Sequence, residues 1–432
     1  MLFYKKKAIK ICFLSILNVI LRIKYYFNLK YRYYLFFMRL LLRNIFHIDH
    51  IIISVITMLV ISLLVLVTVN LEFLNPVVYA LEGFSMNDIY YRIQHSGTPQ
   101  ENQQITLVDM TELSSRDRDK IAHVVEQISS MEPAVLGVDI IFEGLKGNME
   151  ADEMLTEAFF AAPENTVLAY KLIDPEPATK TFGGAVHSFF AEDTHQTEGT
   201  TNVINSPRGS MNTYPTYFLQ GKDTLYSFPV QVSRKMGTAI PQGKDFRINY
   251  KNTVFPVVKW NELEQHRDLI EGRIVLLGST KEEADKHQTP LGQRPGMEIL
   301  AYAILSVIEG DNITVAPFWI ILLWALFAGW LTNVIDEMVT KRLEHSNSTF
   351  ILFILKSNLF GRFVSFSILA LFTYVSFVLF TKYNYELSSV LALSTSVLIG
   401  EGRLLYTAFL AVLKRKGFMI WKKSIYAETI LK

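Results

Sequence analysis

The chain of 432 residues contains one cysteine, Cys12. A disulfide framework needs pairs, so every folded region must be held by its own core. Catalytic signatures are missing as well: there is no His-Glu-x-x-His pair, no phosphate-cradling P-loop, no Rossmann glycine fingerprint and no Gly-x-Ser-x-Gly elbow. Those absences argue against the metalloprotease, P-loop nucleotidase, dehydrogenase and α/β-hydrolase classes, and the chain reads as non-enzymatic, with no cofactor and no metal site. Acidic residues are scarce at the two ends. Before residue 50 stand Lys5, Lys6, Lys7, Lys10, Arg22, Lys24, Lys30, Arg32, Arg39 and Arg43, with Asp49 the only acid. The net charge of +1 therefore averages basic ends with a middle region, 71–313, in which acids outnumber bases. That middle has no basic stripe to neutralise phosphates, which excludes nucleic acid as a partner.

Apolar residues make up 50% of the chain and are unevenly placed. Four runs, at 51–69, 315–335, 363–380 and 387–412, reach the ~18 residues that mark a bilayer-crossing helix. The first carries no charge at all. The last is interrupted by Glu401 and Arg403, so its membrane part should end near Gly402, with the rest leaving the bilayer or lying on its surface. Basic residues are retained on the cytoplasmic side of short flanks. Lys341, Arg342, Lys356 and Arg362 lie between the second and third runs, and Lys414, Arg415, Lys416, Lys422 and Lys423 follow the fourth. Both flanks and the leader should thus share the cytoplasm, which leaves 71–313 outside it.

The layout expected is a cytoplasmic leader at 1–49, spans at 50–70, 314–335, 363–381 and 385–412, an extracytoplasmic domain at 71–313, a cytoplasmic loop at 336–362 and a basic tail at 413–432. The leader mixes aromatics, leucines and arginines, which suits the anionic inner face of a membrane. Its stretch 8–21 looks like a signal peptide, but no small-residue cleavage site follows and it reads as an uncleaved interfacial segment.

Within 71–313, "ITLVDM", "SRDRDKIAHVVEQISSM", "AVLGVDIIF", "ADEMLTEAFFAA" and "TVLAYKL" alternate strand-like and helix-like patterns with short connections. That order predicts parallel βαβ units in an α/β domain. Residues 173–272 read as an irregular insertion with short strands such as "FRINY" and "TVFPVV". The core pattern then resumes with "RIVLLGST", the crowded turn "DKHQTPLGQRPG" and the helix "GMEILAYAILSVIEG", which leads almost directly into the second span.

These segments resemble the CHASE type 2 domain, an extracellular sensory module of bacterial receptors with one span before it and three after. "VLGVDIIF" resembles the family's apolar strand ending in an acid, here Asp139, and Asp152 matches the acid opening the next helix. Asp285, His287, Thr289 and Pro290 resemble its Asp-x-His-x-Thr-Pro turn, and Pro295, Gly296 and Glu298 its Pro-Gly-x-Glu helix start. The likeness runs from about residue 75 to 412. It departs at Leu300 and Tyr302, where the family often has His and Asn, and at "SSRDRDK", which replaces a Trp-Pro-Trp-like element. Members usually continue into an output domain, whereas this chain ends shortly after its last span. The resemblance implies a bacterial inner-membrane, multi-pass sensor acting through a separate cytoplasmic output protein, and receptors of this layout commonly work as homodimers.

The candidate ligand-binding residues are Asp109, Asp139, Asp152, Asp285, His287, Thr289 and Glu298, facing an unknown small molecule or protein on the outer side. Asp109 and Asp139 end two strands joined by one helix. They suggest a cation site or an acid/base pair on neighbouring strands, or equally two caps paired with Arg118 or Lys171. Asp285 with His287 suggests a metal pair, a base with its orienting acid, or a hydrogen-bonded turn. Pro295, Gly296, Glu401 and Arg403 are the candidate relay and membrane residues. The last two are read as gating groups or as side chains snorkelling to the interface. A channel-like subunit and a passive scaffold are the competing functional classes.

Overall fold

A computed structural model describes residues 44–69, 86–145, 147–176, 181–203, 210–220, 223–281, 285–343, 348–357, 359–427 and 430. Cys12 and the stretch 8–21 lie outside these residues, as does the leader up to residue 43. The chain packs as two units, divided between residues 67 and 68, 317 and 318, 373 and 374, and 388 and 389.

Along the chain the elements begin with α1 (Ile48–Val69), α2 (Met86–Gln94), β1 (Gln100–Glu101), β2 (Ile105–Asp109), α3 (Arg118–Ser130), β3 (Val135–Val138), α4 (Met149–Ala161) and β4 (Thr166–Glu176). The region expected to be irregular holds β5 (Thr181–Val186), α5 (Phe189–Thr194), β6 (Thr197–Thr200), β7 (Thr213–Pro215), β8 (Tyr217–Gln220), β9 (Asp223–Tyr226), α6 (Phe228–Lys235), β10 (Asp245–Arg247), β11 (Thr253–Val254) and β12 (Val257–Lys259). Then come β13 (Ile274–Gly278), β14 (Lys286–Thr289), β15 (Gly292–Pro295), α7 (Gly296–Ile308), β16 (Thr314–Val315), α8 (Phe318–Leu343), α9 (Thr349–Lys356), α10 (Leu359–Tyr383), β17 (Tyr385–Glu386), α11 (Val390–Val397) and α12 (Ile399–Arg415).

In the α/β unit a seven-stranded sheet runs β12-β2-β13-β3-β4, and β4 continues to both β5 and β6. All of these pairings are parallel except β4 with β5. β2, β3 and β13 are buried along their whole length. Apolar runs without polar alternation are what a sheet covered on both faces requires. Successive residues still face opposite ways. Leu136, Val138, Leu168, Val275 and Leu277 pack with Ile121, Val125, Leu155, Phe159 and Phe190 of α3, α4 and α5. Val135, Val167, Ile274 and Leu276 pack on the other side with Phe228, Val232, Met297 and Ile304 of α6 and α7.

One expectation is corrected here. β13 lies between β2 and β3, so Asp109 and Asp139 do not stand on neighbouring strands. The insertion contributes to the core, since its "TVFPVV" segment supplies the edge strand β12 and its α6 covers one face of the sheet.

In the helical unit, α8 and α10 and the 48–66 portion of α1 are long and apolar enough to cross a membrane. The fourth run is a single span only if α11 and α12 are joined across a bend of 56°. The span expected over 385–412 breaks at Leu398, four residues before Gly402, where its membrane part is expected to end. Ser394, Thr395, Ser396, Gly400 and Gly402 flank the break at Leu398, and this concentration of weak helix formers lowers the cost of interrupting the hydrogen-bond ladder there. Gly402 has a packing role as well: a Cβ there would collide with the Thr57 hydroxyl and approach the Ile53 carbonyl oxygen to 3.2 Å. Small residues permit such close helix contact. Within 336–362, α8 continues to Leu343 and α9 follows. Large apolar side chains such as Leu63, Phe327, Phe363 and Phe366 are exposed along these helices, as contact with lipid demands.

Candidate functional site

The crowded turn forms the β14–β15 hairpin, closed by Pro290 and Leu291. Proline presets the first turn position, and Gly292 takes a positive φ of 93° just after the turn. The Thr289 hydroxyl donates to the Gly292 carbonyl oxygen at 2.7 Å and accepts from the Leu291 N–H at 3.2 Å, so this buried side chain closes the turn. Asp285 accepts the Gly296 N–H at 3.1 Å, satisfying a free donor at the start of α7 and placing negative charge at the positive end of the helix. His287 Nε2 is 3.4 Å from the other Asp285 oxygen. Any Cβ on residue 296 would run into the Asp285 carboxylate, so glycine is required for the cap. Asp285→Ala should cost about 1 kcal/mol, with Asp285→Asn close to wild type, in thermal melts of the purified chain.

Beside this hairpin lies a cleft of about 640 Å³. Its lining combines an apolar group, Leu107, Val254, Phe255 and Val257, with Arg294, Glu298 and Tyr302. These three residues recur at intervals of four, which aligns them along one side of α7 and its entry strand. Arg294 Nη1 donates to Glu298 Oε1 at 3.2 Å, whereas Arg294 Nε is buried without a partner among the described residues. Burial raises the Glu298 carboxyl above its usual range, and Arg294 opposes that rise only in part. The Tyr302 hydroxyl donates to the Thr253 carbonyl oxygen at 2.9 Å, and burial likewise raises its pKa. Lys281, 69% exposed, reaches into the same cleft from the segment after β13. The arrangement is that of a binding cleft, a mostly apolar surface with a few convergent charges.

Of the sequence candidates, Glu298 and Pro295 line this cleft. Asp109 stands at the end of β2, with its Oδ1 accepting from the Thr111 N–H and hydroxyl at 3.1 and 2.5 Å and from the Thr280 N–H at 3.2 Å. Burial alone would raise its pKa, but the hydrogen bonds from Thr111 and Thr280 prevail and lower it. Its Oδ2 lies 3.4 Å from Lys281, at the margin of the cleft. Asp139 follows β3 and its N–H donates to the Leu277 carbonyl oxygen. Asp152 is distant in role, forming a buried ion pair with Arg118 between α4 and α3. Of the two cations weighed as partners for Asp109 and Asp139, Arg118 pairs with Asp152. Tyr302 stands out in the sequence only as a departure from the family pattern, and Arg294 and Lys281 are cleft residues that no sequence motif marks.

The α/β unit also includes residues 374–388, the end of α10 and the turn after it. β17 pairs with β16 in parallel, the Thr314 N–H donates to the Asn384 carbonyl oxygen at 2.8 Å, and the Ala316 N–H donates to the Glu386 carbonyl oxygen at 2.9 Å. Phe380 packs edge-on against Tyr91. Arg247 lies 3.5 Å from the Glu386 carboxylate. The stretch that leaves α7 is thereby stitched to the turn between α10 and α11.

In the helical unit Arg403 does not snorkel outward. Its Nε and Nη2 donate to Asn333 Oδ1 at 2.9 and 2.7 Å, and Nη2 lies 2.6 Å from Asp336. Glu401 is exposed. Among the described residues no group of three or more His, Cys, Asp or Glu is placed to hold a metal ion.

No curated protein and no solved structure matches the chain. A family model described as the CHASE2 domain matches residues 56–334, from within α1 to within α8, and α9 through α12 fall outside it. The matched region covers well over half of the chain and contains the whole sheet, the hairpin and the cleft. Carrying this sensory domain on apolar helices fit to cross a bilayer, the chain is a multi-pass membrane protein that belongs to the CHASE2 domain family.

Proposed function

We propose that the protein is a non-enzymatic membrane receptor whose α/β domain binds a small amphipathic carboxylate in the cleft beside α7 and passes the change to its membrane helices. The observation that carries this reading is the position of Arg294 and Glu298, which line the cleft and also lead into the helix that connects, through residues 309–317, to α8. The apolar group suits the body of the ligand. Arg294, whose Nε lacks a partner among the described residues, and Lys281 suit its carboxylate. A ligand that separates Arg294 from Glu298 changes the start of α7, and the β16–β17 stitch spreads that change to the ends of two spans.

On this reading the domain lies outside the cytoplasm of a bacterial cell, in the periplasm, with both termini inside, as the basic leader, loop and tail favour. A separate cytoplasmic protein receives the signal at those basic segments, and two copies of the chain operate together in the inner membrane.

The full chain in nanodiscs, probed with hexanoate and benzoate, tests the reading. Either carboxylate should raise the melting temperature and alter amide exchange at Thr314 and Ala316, and Arg294→Gln should remove both effects. Absence of any melting shift would sink the ligand class, and a shift with unchanged exchange at those two amides would sink the relay.

A further inference from the structure

A second cavity, of about 430 Å³, opens where the turn after α10 meets the α/β domain, and its lining is almost entirely polar. Gln100 and Asn249 come from the domain, Lys251 and Asp311 flank them, and Lys382 and Asn384 come from the end of α10 and the turn beyond it. Its polar groups are unevenly satisfied. Lys251 is neutralised by ion pairs with Asp311 and Glu309. Asn249, buried, spends its amide on Asp311 Oδ2 at 3.2 Å and on Asn384 Oδ1 at 3.4 Å. Asp311 Oδ1 is buried without a hydrogen-bond partner among the described residues, and Lys382 forms no ion pair among them.

An unmatched buried acceptor needs a donor, and an unneutralised ammonium in the same lining favours an anion. A simple cation would face Lys382, and a simple anion would face Asp311. The complement of both is one molecule carrying the two charges. We propose that this cavity binds a small zwitterion of the amino-acid type, its ammonium on the Asp311 carboxylate, its carboxylate on Lys382 and its remaining polar groups on the amides. Such a ligand ties Asp311 and Asn249 to Asn384 and Lys382, and so tightens the stitch between the domain and the end of α10.

This site shares none of its charged residues with the cleft at Arg294 and stands independently of what that cleft binds. The test uses the full chain in detergent with glycine, L-glutamine and γ-aminobutyrate, against methylammonium and acetate as single-charge controls. At least one zwitterion should raise the melting temperature and show binding by calorimetry, and the controls should not. Asp311→Asn and Lys382→Gln should each weaken that binding roughly tenfold or more, the loss of one charge-assisted contact, and Arg294→Gln should leave it unchanged. Because Asp311 also holds Lys251, the exposed Lys382 decides the matter if the aspartate variant does not fold. No response to any of the three zwitterions, an equal response to either control, or undiminished binding by Lys382→Gln would overturn the proposal.

Discussion

Arg118→Met is expected to destabilise the α/β unit by about 3–5 kcal/mol, which is the cost of leaving a buried charge without its partner. Arg118 is 1% exposed, pairs with Asp152, donates to the Gly144 carbonyl oxygen and lies 4.9 Å from the centre of the Phe190 ring. Its removal takes the guanidinium from a buried carboxylate at the contact between α3 and α4, beneath the face that Phe142, Phe159 and Phe190 seal. The melting temperature of the purified chain should fall by roughly 10 °C, given a few degrees per kcal/mol for a unit of this size. The double variant Arg118→Met with Asp152→Leu should recover most of that loss, since an apolar pair of similar volume removes both desolvation costs. If the double variant melts no higher than the single one, the pair matters for its geometry rather than for its charge.

Arg403→Met should be comparably damaging to the helical unit. The guanidinium joins α12 to Asn333 and Asp336 of α8, and Asn333 in turn contacts His50 Nδ1 of α1 at 2.7 Å. His50 Nε2 lies 3.0 Å from the Asn44 carbonyl oxygen and can only donate there, so Nδ1 accepts and the Asn333 amide must present its oxygen to Arg403. One side chain therefore orients a chain of groups across three helices. Without it, Asp336 and the side-chain oxygen of the fully buried Asn333 lose the guanidinium in a low-dielectric setting, at a cost of several kcal/mol. Arg403→Lys should not restore stability, because an ammonium cannot reach both oxygens in the same fork. Fluorescence-detected size exclusion after heating would show it. A lysine variant as heat-resistant as wild type would mean that charge alone suffices.

This network shows how a residue can stand out in the sequence while its partners do not. Arg403 stood out in the sequence as an ionisable group in an apolar run, but Asn333 and Asp336 lie seventy and sixty-seven positions away, and no pattern in the string joins them. Asp152 was similar. Its place at the opening of a helix was legible, whereas its pairing with Arg118 depended on how α3 and α4 pack. The turn at Asp285 was more transparent, because its chemistry is local: proline and glycine set the hairpin, and the capped N–H lies only eleven residues from the carboxylate.

What the sequence by itself determined was the order of the elements and the existence of the apolar helices. Runs such as "VLGV" and "IVLLG" have only a doubly covered sheet to enter, and a charge-free run such as 51–69 favours lipid or a fully apolar interior. The tertiary structure alone decided that β13 separates β2 from β3, that β12 and α6 come from the seemingly irregular insertion, and that Tyr385 and Glu386 pair with the segment leaving α7. Those outcomes depend on contacts between residues far apart in the chain, whose free energy comes from shared burial and from hydrogen bonds completed only when the partners meet.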